Sequence, residues 1–277
     1  MTNHSVLIAD SGSTKTDWAF MGKRFQTQGI NPFHQDEDTI RQILKEELLP
    51  QLSSFIMHPA SIRFYGSGVR PELEEKMRYL LQETFPQCDC IEAHGDLLGA
   101  ARALCGRNEG IACILGTGAN SCLYDGQQIV QNIPPMGYIL GDEGSGAVLG
   151  ARFLNALYKN RLSNQMRHAF EDYSKMSMAQ VIERVYRQPM ANRWLASLST
   201  FIYQHLEDPT IEQLVVDNFH DFLQRNIVPY NRPDLPVNAV GSIAFYYSEQ
   251  LAKAIKEKGY TLGIIVRSPL DVLVQME

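Results

Sequence analysis

Short apolar runs alternate with polar turns through the first third of the chain, and this pattern predicts β-strands. The runs lie at 6–9, 18–21, 25–29, 62–65 and 90–93. Apolar residues at helical spacing predict helices near 40–52, 72–83 and 97–105. Strands that come first and then alternate with helices indicate an α/β fold.

The same opening pattern of strand, polar turn and second strand recurs in the second part of the chain. A buried-strand run at 111–115 precedes the turn 116–121, and Asp125-Gly126 predicts a hairpin. Residues 163–230 show helical spacing without a strand pattern, so we expect a helical insertion there. The remaining predicted elements are strands at 237–240 and 262–266, one helix at 243–258 and a terminal helical turn at 270–273. The repetition predicts two related domains, 1–106 and 107–277.

Composition and charge exclude several classes of function. The 277 residues carry a formal net charge of −6 and no long basic run, which argues against a dedicated nucleic-acid binder. No apolar run is long enough to span a membrane, and the N-terminus leads into a strand without a secretory signal. Five cysteines, an odd number without zinc-ligand spacing, favour reduced thiols in a cytoplasmic protein. Phosphate ligands stay open, because they need only a few local donors.

The segment 10–16 joins the first two predicted strands and concentrates polar chemistry. It holds one carboxylate, four hydroxyl groups, one glycine and one ammonium group. Gly12 allows close backbone approach, and successive N–H groups can surround phosphate oxygens. Asp10, at the strand end, could hold Mg²⁺ through water. A surface turn has a similar composition. A Walker A loop is excluded, because Lys15-Thr16 follows threonine and precedes a strand.

Three more polar turns follow predicted strands. Asp96, between a strand and a helix, could take the proton of a substrate hydroxyl as a general base, or it could cap the helix. Gly116-Thr117-Gly118 could offer backbone N–H groups to phosphates or form a tight hairpin turn. Gly241-Ser242 could face a nucleotide or simply end a strand. Because ligands of open α/β folds bind beyond strand ends, these turns predict a binding site.

Two other side chains could meet a hydroxylated ligand. Asp142 lies in a glycine-rich stretch, and glycine at this density indicates close backbone approach because it weakens helices. Its carboxylate could accept hydrogen bonds from sugar hydroxyls or cap the following helix. Asn31, in a loop before Pro32, could bind the same ligand or serve as a turn residue.

Taken together, these motifs resemble those of N-acetylglucosamine kinases in the actin-like ATPase and sugar-kinase superfamily. The motifs are 10–16, 95–96, 116–120, 141–145 and 241–242, in the same order and spanning nearly the whole chain. This branch shares the BadF/BadG/BcrA/BcrD ATPase family with activators of acyl-CoA dehydratases and reductases. The resemblance implies two ribonuclease H-like (actin-like ATPase) domains, ATP and Mg²⁺ in a cleft between them, and a homodimer.

The resemblance also implies a reaction and a set of roles. The γ-phosphoryl group of ATP would pass to the 6-hydroxyl of N-acetylglucosamine or a related amino sugar such as N-acetylmuramic acid. Asp96 would be the base, and Asp10 would support the metal. Nucleotide and phosphates would be bound by Ser11, Gly12, Ser13, Thr14, Lys15, Thr16, Gly116, Thr117, Gly118, Gly241 and Ser242. The sugar would contact Asn31, Asp96, Asn120, Gly137 and Asp142.

The chain departs from the family pattern at three places. Ser11 stands where the family often has glycine, and Ala119 where it often has serine. Phe33-His34 occupies the loop in which the vertebrate enzyme has a tryptophan. Two other functions stay open: an ATP-driven activator, which would need cysteines to ligate an iron–sulfur cluster, and a sugar sensor without turnover.

Overall fold

The computed structural model describes residues 5–12 and 14–276, whose contacts divide the chain into two units. One unit comprises the chain up to Gly106 together with the segment from Ser268, and the other is Arg107–Arg267. Each unit is built around one five-stranded sheet.

The first sheet combines a meander with two parallel strands. Its strands are β1 (Val6–Ser11), β2 (Lys15–Phe20), β3 (Lys23–Gln28), β4 (Ser61–Gly66) and β5 (Cys90–Gly95), in the order β3-β2-β1-β4-β5. β1, β2 and β3 pair antiparallel, whereas β1, β4 and β5 run parallel. Since side chains alternate across a strand, β1 turns Leu7 and Ala9 to one face and Val6 and Ile8 to the other.

Helices cover both faces of this sheet. They are α1 (Glu37–Gln42), continued by a π-helical segment (Ile43–Leu48) into α2 (Leu49–Leu52), then α3 (Pro71–Thr84) and α4 (Asp96–Cys105). Asp36 caps α1 by accepting a hydrogen bond from the Thr39 N–H at 2.8 Å. Leu7 and Ala9 pack with Trp18, Phe64 and residues of the helices in the larger core. Burial of this apolar side-chain surface is what holds the helices on the sheet.

The second sheet repeats the order of the first. Its strands are β6 (Gly110–Leu115), β7 (Ala119–Tyr124), β8 (Ile129–Asn132), β9 (Pro236–Val240) and β10 (Thr261–Val266), in the order β8-β7-β6-β9-β10. β6, β7 and β8 again form an antiparallel meander, and β6, β9 and β10 run parallel. The two predicted halves therefore share one topology, and the predicted α/β class is confirmed.

The helices of the second unit form one continuous core with its sheet. They are α5 (Gly137–Leu140), α6 (Gly146–Tyr158), α7 (Asn164–Ser174), α8 (Met178–Tyr186), α9 (Ala191–Ser197), α10 (Ser199–Tyr203), α11 (Pro209–Phe222), α12 (Ser242–Tyr246) and α13 (Ser248–Glu257). π- and 3₁₀-helical turns (Leu223–Ile227, Val228–Tyr230) extend α11. The segment 163–230 is helical without a strand, as expected, but it packs into the core of the sheet.

Two boundaries differ from the sequence expectation. The segment from Ser268, assigned above to the second domain, belongs to the first unit, because Leu270 and Leu273 of α14 (Leu270–Leu273) pack against Val6 and Ile8. The helix expected at 243–258 is interrupted at Tyr247, which is buried and donates its hydroxyl to the Ser199 carbonyl at 2.5 Å. Within the described residues, no helix has the length and apolar character needed to cross a membrane.

Candidate functional site

Three loops of the first unit begin at the same edge of its sheet. Ser11 of β1 lies in register with Gly66 of β4, which lies in register with Gly95 of β5. The carboxyl ends of these parallel strands therefore meet, and Asp96 follows directly as the first residue of α4. Adjacent strands are about 4.8 Å apart, so the ends of β1 and β5 are separated by roughly 10 Å. Asp10 and Asp96 thus flank one edge of the sheet.

Both aspartates sit where their charged forms are disfavoured. Burial raises the pKa of Asp96, and hydrogen bonds from the backbone N–H groups of Leu97 and Asp96 itself oppose this. Burial, followed by the negative charges of Asp96 and Asp17, raises the pKa of Asp10 to about 7. A carboxylate with a raised pKa is a better proton acceptor, because base strength increases with pKa. Asp96 is not the N-cap residue of α4, because Gly95 occupies that position.

The Asp10 carboxylate suits a magnesium ion held through water. No hydrogen bond reaches it from a described residue, and the charges of Asp96, Asp17 and Asp271 repel its ionised form, while only the charge of Lys15 favours it. A divalent cation would offset that repulsion, and Mg²⁺ keeps most of its water while using one or two carboxylates. Between residues 5 and 276, Ser13 excepted, no three acidic, histidine or cysteine side chains form a metal-ligand group. The residues therefore fit a hydrated ion rather than a protein cage.

Ser11 and Thr16 point into the first unit, not out of it. Both are fully buried, and their hydroxyl oxygens lie 2.6 Å apart. The Ser11 hydroxyl donates to the Ile30 carbonyl at 2.9 Å, and the Ile30 N–H donates to the oxygens of Ser11 and Thr16 at 3.0 and 3.2 Å. The side-chain phosphate contacts expected of Ser11 and Thr16 do not fit this geometry. These hydroxyls instead fasten the hairpin 10–16 to the loop that begins at Gly29.

Ser11→Ala is expected to loosen that loop. The variant leaves the buried Ile30 carbonyl without its donor, which costs on the order of 1–3 kcal/mol. Hydrogen exchange of the Ile30 amide should therefore become about tenfold faster, as followed by NMR. Ser53→Ala is the control, because its exposed hydroxyl bonds only locally to Pro50. Unchanged protection of Ile30 in Ser11→Ala would show that the hydroxyl does not hold the loop.

The tip of the hairpin presents backbone and one ammonium group. Gly12, Thr14 and Lys15 are exposed, and the Gly12 N–H closes the turn by donating to the Lys15 carbonyl at 2.9 Å. The Lys15 ammonium contacts the Asp17 carboxylate at 2.8 Å and keeps over half of its side chain in solvent. Ser13, expected to bind phosphate, lies outside the described residues. The exposed tip is therefore the part of this motif that can meet an anion.

Asn31 is buried beside the loop that follows β4. Its side-chain oxygen accepts a hydrogen bond from the Phe33 N–H at 3.1 Å, as a turn asparagine does. Gly68 has φ +79°, and a Cβ there would collide with the Asn31 amide. The Asn31 Nδ2 group donates to no described residue, although the residue is 7% exposed. Asn31 is thus a turn residue that keeps a donor for a ligand.

In the second unit, the two predicted phosphate turns are neighbours. Ile114 of β6 lies in register with Val240 of β9, so Gly241 follows beside Leu115 and the turn 116–118. Gly241 has φ +118°, and a Cβ there would strike the Leu115 carbonyl. The carbonyls of Gly116 and Thr117 accept from the first N–H groups of α6, at 2.8 and 3.2 Å. Gly116 is open on its outer side, and Ser242 is exposed. Turns 116–118 and 241–242 therefore form one backbone surface.

Asp142 and Asn120 lie beside this surface. Burial raises the pKa of Asp142 to about 6, a hydrogen bond from the Ala119 N–H opposes the rise, and the charge of Glu143 adds to it. The Asn120 side-chain oxygen accepts from Ser121 N–H and Asn132 Nδ2, both at 2.9 Å. Gly137 is exposed at the start of α5, in the loop whose Pro135 carbonyl accepts from the Asp142 N–H at 2.8 Å. Sequence analysis therefore selected residues that cluster within each unit.

A polar network next to Asp96 was missed by sequence analysis. His94 contacts Glu74 at 3.0 Å, and Arg102 donates to Glu92 at 3.0 Å and to the Tyr65 hydroxyl at 2.9 Å. Hydrogen bonds, first from His94 and then from Arg102, lower the pKa of Glu92 to about 2. The sequence signal was the two-residue spacing of Glu92 and His94, which places both on one face of β5. This network braces the strand that carries Asp96.

Comparison with solved structures identifies one protein that resembles this chain in sequence as well as fold. It comes from Porphyromonas gingivalis, is provisionally named an N-acetylglucosamine kinase, and is 50% identical. The match covers 98% of this chain and 97% of that one, with a TM-score of 0.94. No family model matches the chain, and no curated protein does.

Two more distant structures resemble the chain in fold alone. One from Chromobacterium violaceum, also provisionally named an N-acetylglucosamine kinase, is 19% identical with a TM-score of 0.71, over 98% of both chains. A ROK hexokinase from Thermus thermophilus is 14% identical with a TM-score of 0.51, over 95% of this chain and 92% of that one. Both have the actin-like architecture described above.

Proposed function

The chain belongs to the N-acetylglucosamine kinase-like family of the actin-like ATPase and sugar-kinase superfamily, and from that premise we propose that it transfers the γ-phosphoryl group of ATP to the 6-hydroxyl of an amino sugar. N-Acetylglucosamine or a close derivative is the acceptor. The observation that carries the proposal is Asp96, a half-buried carboxylate at the carboxyl edge of the first sheet, beside Asp10, whose pKa is raised by desolvation.

Asp96 accepts the proton of the attacking sugar hydroxyl. Phosphoryl transfer needs little covalent help from a protein, so positioning and charge stabilisation supply most of the rate. Asp10 holds the hydrated Mg²⁺, which when bound neutralises charge on the phosphate oxygens. Exposed Lys15 supplies a second positive charge from the hairpin tip. The raised pKa of Asp96 makes it a stronger base than an ordinary aspartate.

Backbone groups account for most of the phosphate contacts in this proposal. The candidate phosphate surface of the first unit is the exposed main chain of the hairpin tip at Gly12 and Thr14, and that of the second unit is formed by the turns 116–118 and 241–242. Glycine suits these positions because it lets a phosphate approach the main chain closely. Ser11 and Thr16 support the hairpin from inside.

The sugar is held by amide and carboxylate groups. In the first unit, the candidate group is the unused Nδ2 of Asn31. In the second unit, the candidates are the Nδ2 of Asn120, whose oxygen is held within β7 and β8, and the Asp142 carboxylate, which can accept from sugar hydroxyls. The loop at Gly137 lies beside Asp142 in the second unit. A site built to bond hydroxyls discriminates strongly against sugars that lack them, because its buried polar groups would be left unpaired.

The proposal is tested by coupling ADP release to added sugar. We expect Mg²⁺-dependent ADP release with N-acetylglucosamine or a derivative, and ³¹P–¹H NMR of the product should place the phosphate on C6. The 6-deoxy sugar is the matched control, since it fits the site but lacks the acceptor hydroxyl. ADP release that continues with the 6-deoxy sugar would contradict the assigned hydroxyl. Sugar binding without ADP release would identify a sensor.

A further inference from the structure

An exposed aromatic ring and an arginine stack beside Asn31, and the mechanism above uses neither. The Arg70 guanidinium lies 3.8 Å from the centroid of the Phe33 ring. Phe33 belongs to the loop after Asn31, and Arg70 ends the loop after β4 and precedes α3. Phe33 keeps 48% of its surface exposed, and Arg70 is exposed as well. The pair therefore joins two loops at the surface.

The Arg70 guanidinium has no carboxylate partner among the residues that the structure describes. The first turn of α3 carries Glu72 and Glu74, but Glu74 is bonded to His94 at 3.0 Å. A guanidinium that stacks through its face leaves its N–H groups free at the edge, where they can bind a carboxylate through two parallel hydrogen bonds. Stacking on Phe33 fixes the plane of the group in advance, so less conformational freedom is lost on binding.

The position of Arg70 places it next to the acceptor side of the site. Gly68, two residues earlier, packs directly on the Asn31 amide. The Val69 carbonyl lies so close to Gly95 that a Cβ there would be 3.0 Å from it, and Asp96 is the next residue. The loop 66–70 thus extends from Asn31, with its unused Nδ2 donor, to the proposed base.

Three aspartates at this edge of the first sheet make its charge negative, and this bears on what Arg70 can bind. Asp10, Asp17 and Asp96 lie close enough to repel one another, and this repulsion adds to burial in raising the pKa of Asp10. An anionic group on the sugar would be repelled by these carboxylates unless a cation faced it. Arg70 is a cation at the right loop without another role in the described chain. A neutral sugar would give it no partner.

We propose that Arg70, held against Phe33, binds a carboxylate carried by an ether substituent of the amino sugar, so that the acceptor is an acidic N-acetylhexosamine that keeps its 6-hydroxyl. The inference rests on the proposed kinase function and specifies its substrate class. Arg70 is then the residue that determines specificity, and Asn31 and Asp96 act on the shared part of the sugar. Phe33 orients the guanidinium.

The test compares N-acetylmuramic acid with its methyl ester, which keeps the shape but removes the charge. We expect the protein to show a kcat/KM at least about tenfold higher for the acid, the size of a charge-assisted hydrogen-bonded pair. Arg70→Gln should bring the acid-to-ester ratio down to about one. Arg78→Gln is the matched control, because Arg78 is exposed on α3, the helix that Arg70 precedes, and pairs with Glu75 there. Arg78→Gln should leave the acid-to-ester ratio of kcat/KM unchanged.

The outcomes separate this inference from the proposed function. If N-acetylglucosamine and the ester are phosphorylated as well as the acid, the inference is overturned and the kinase function stands. An acid preference that survives Arg70→Gln also overturns it. If no amino sugar gives ADP, the proposed function fails and the inference fails with it. An acid preference that disappears in Arg70→Gln and persists in Arg78→Gln supports it.

Discussion

Asp96→Asn is expected to lower kcat for sugar phosphorylation by about a thousandfold, within the range that a positioned general base contributes. Asparagine keeps the size of the side chain but cannot accept the proton of the sugar hydroxyl. ATP binding, measured by calorimetry, should change little, since no phosphate contact is assigned to Asp96. Asp89→Asn is the matched control, because Asp89 is exposed in the turn that precedes the same strand. Equal loss of turnover and of ATP binding in a folded Asp96→Asn protein would contradict the assigned role.

The pH dependence of the reaction tests the same residue. Burial raises the pKa of Asp96, so its carboxylate gains a proton, and stops acting as a base, at a higher pH than an ordinary aspartate. We expect kcat to fall on the acid side with an inflection above 3.8, the ordinary value. The residual activity of Asp96→Asn should lack that inflection. An identical acid limb in both proteins would assign it to another group, such as Asp10, whose pKa is raised to about 7 by burial and by neighbouring negative charges.

Phe201→Ala is expected to destabilise the whole second unit by about 3–5 kcal/mol, as deletion of a buried aromatic ring does. Phe201 of α10 is almost fully buried, and its ring centroid lies 5.5 Å from those of Phe153 and Phe170. Phe153 belongs to α6 and Phe170 to α7, so the three rings connect the helical segment to the helix whose first N–H groups bond to the turn 116–118. Native-state hydrogen exchange of peptides from β6, α6 and α11 measures the effect.

Tyr186→Ala is the control for that experiment. Tyr186 lies in the same helical segment but is 82% exposed, so its truncation should change stability by less than about 0.5 kcal/mol. If Phe201→Ala weakened protection in α7 to α10 alone and left β6 unchanged, the helical segment would be an appended layer. Loss of protection in β6 as well would show that the segment and the sheet share one cooperative core.

The strands were predictable because burial on both faces gives continuous apolar runs. The run at 6–9 marks β1, and the repeat of its turn after 111–115 marks the second sheet. Ser11 shows where composition alone misleads. A serine in a glycine-containing turn predicts a ligand contact, yet Ser11 continues the face of Leu7 and Ala9 into the core. The two-residue period of β1 predicts that Ser11 is buried, whereas the resemblance to a phosphate-binding motif predicts that it is exposed to a ligand.

The remaining differences between the predicted and the observed structure come from contacts between distant parts of the chain. The helix expected at 243–258 shows no helix breaker at Tyr247, and its interruption follows from packing that buries this side chain against α10. Phe33 and Arg70 stack although the chain between them spans two helices and a strand. Sequence periodicity describes one element at a time, so it cannot place two loops together.

Because the segment from Ser268 packs in the first unit, that unit cannot be completed until this last segment has been synthesised. A ribosome releases the first five strands early, but Leu270 and Leu273, which cover Val6 and Ile8, emerge after every residue of Arg107–Arg267. During that interval the apolar face of β1 at Val6 and Ile8 lacks the contribution of α14, and partly exposed apolar surface of this kind is what chaperones bind. The unit that starts to form first is therefore the one that is completed last.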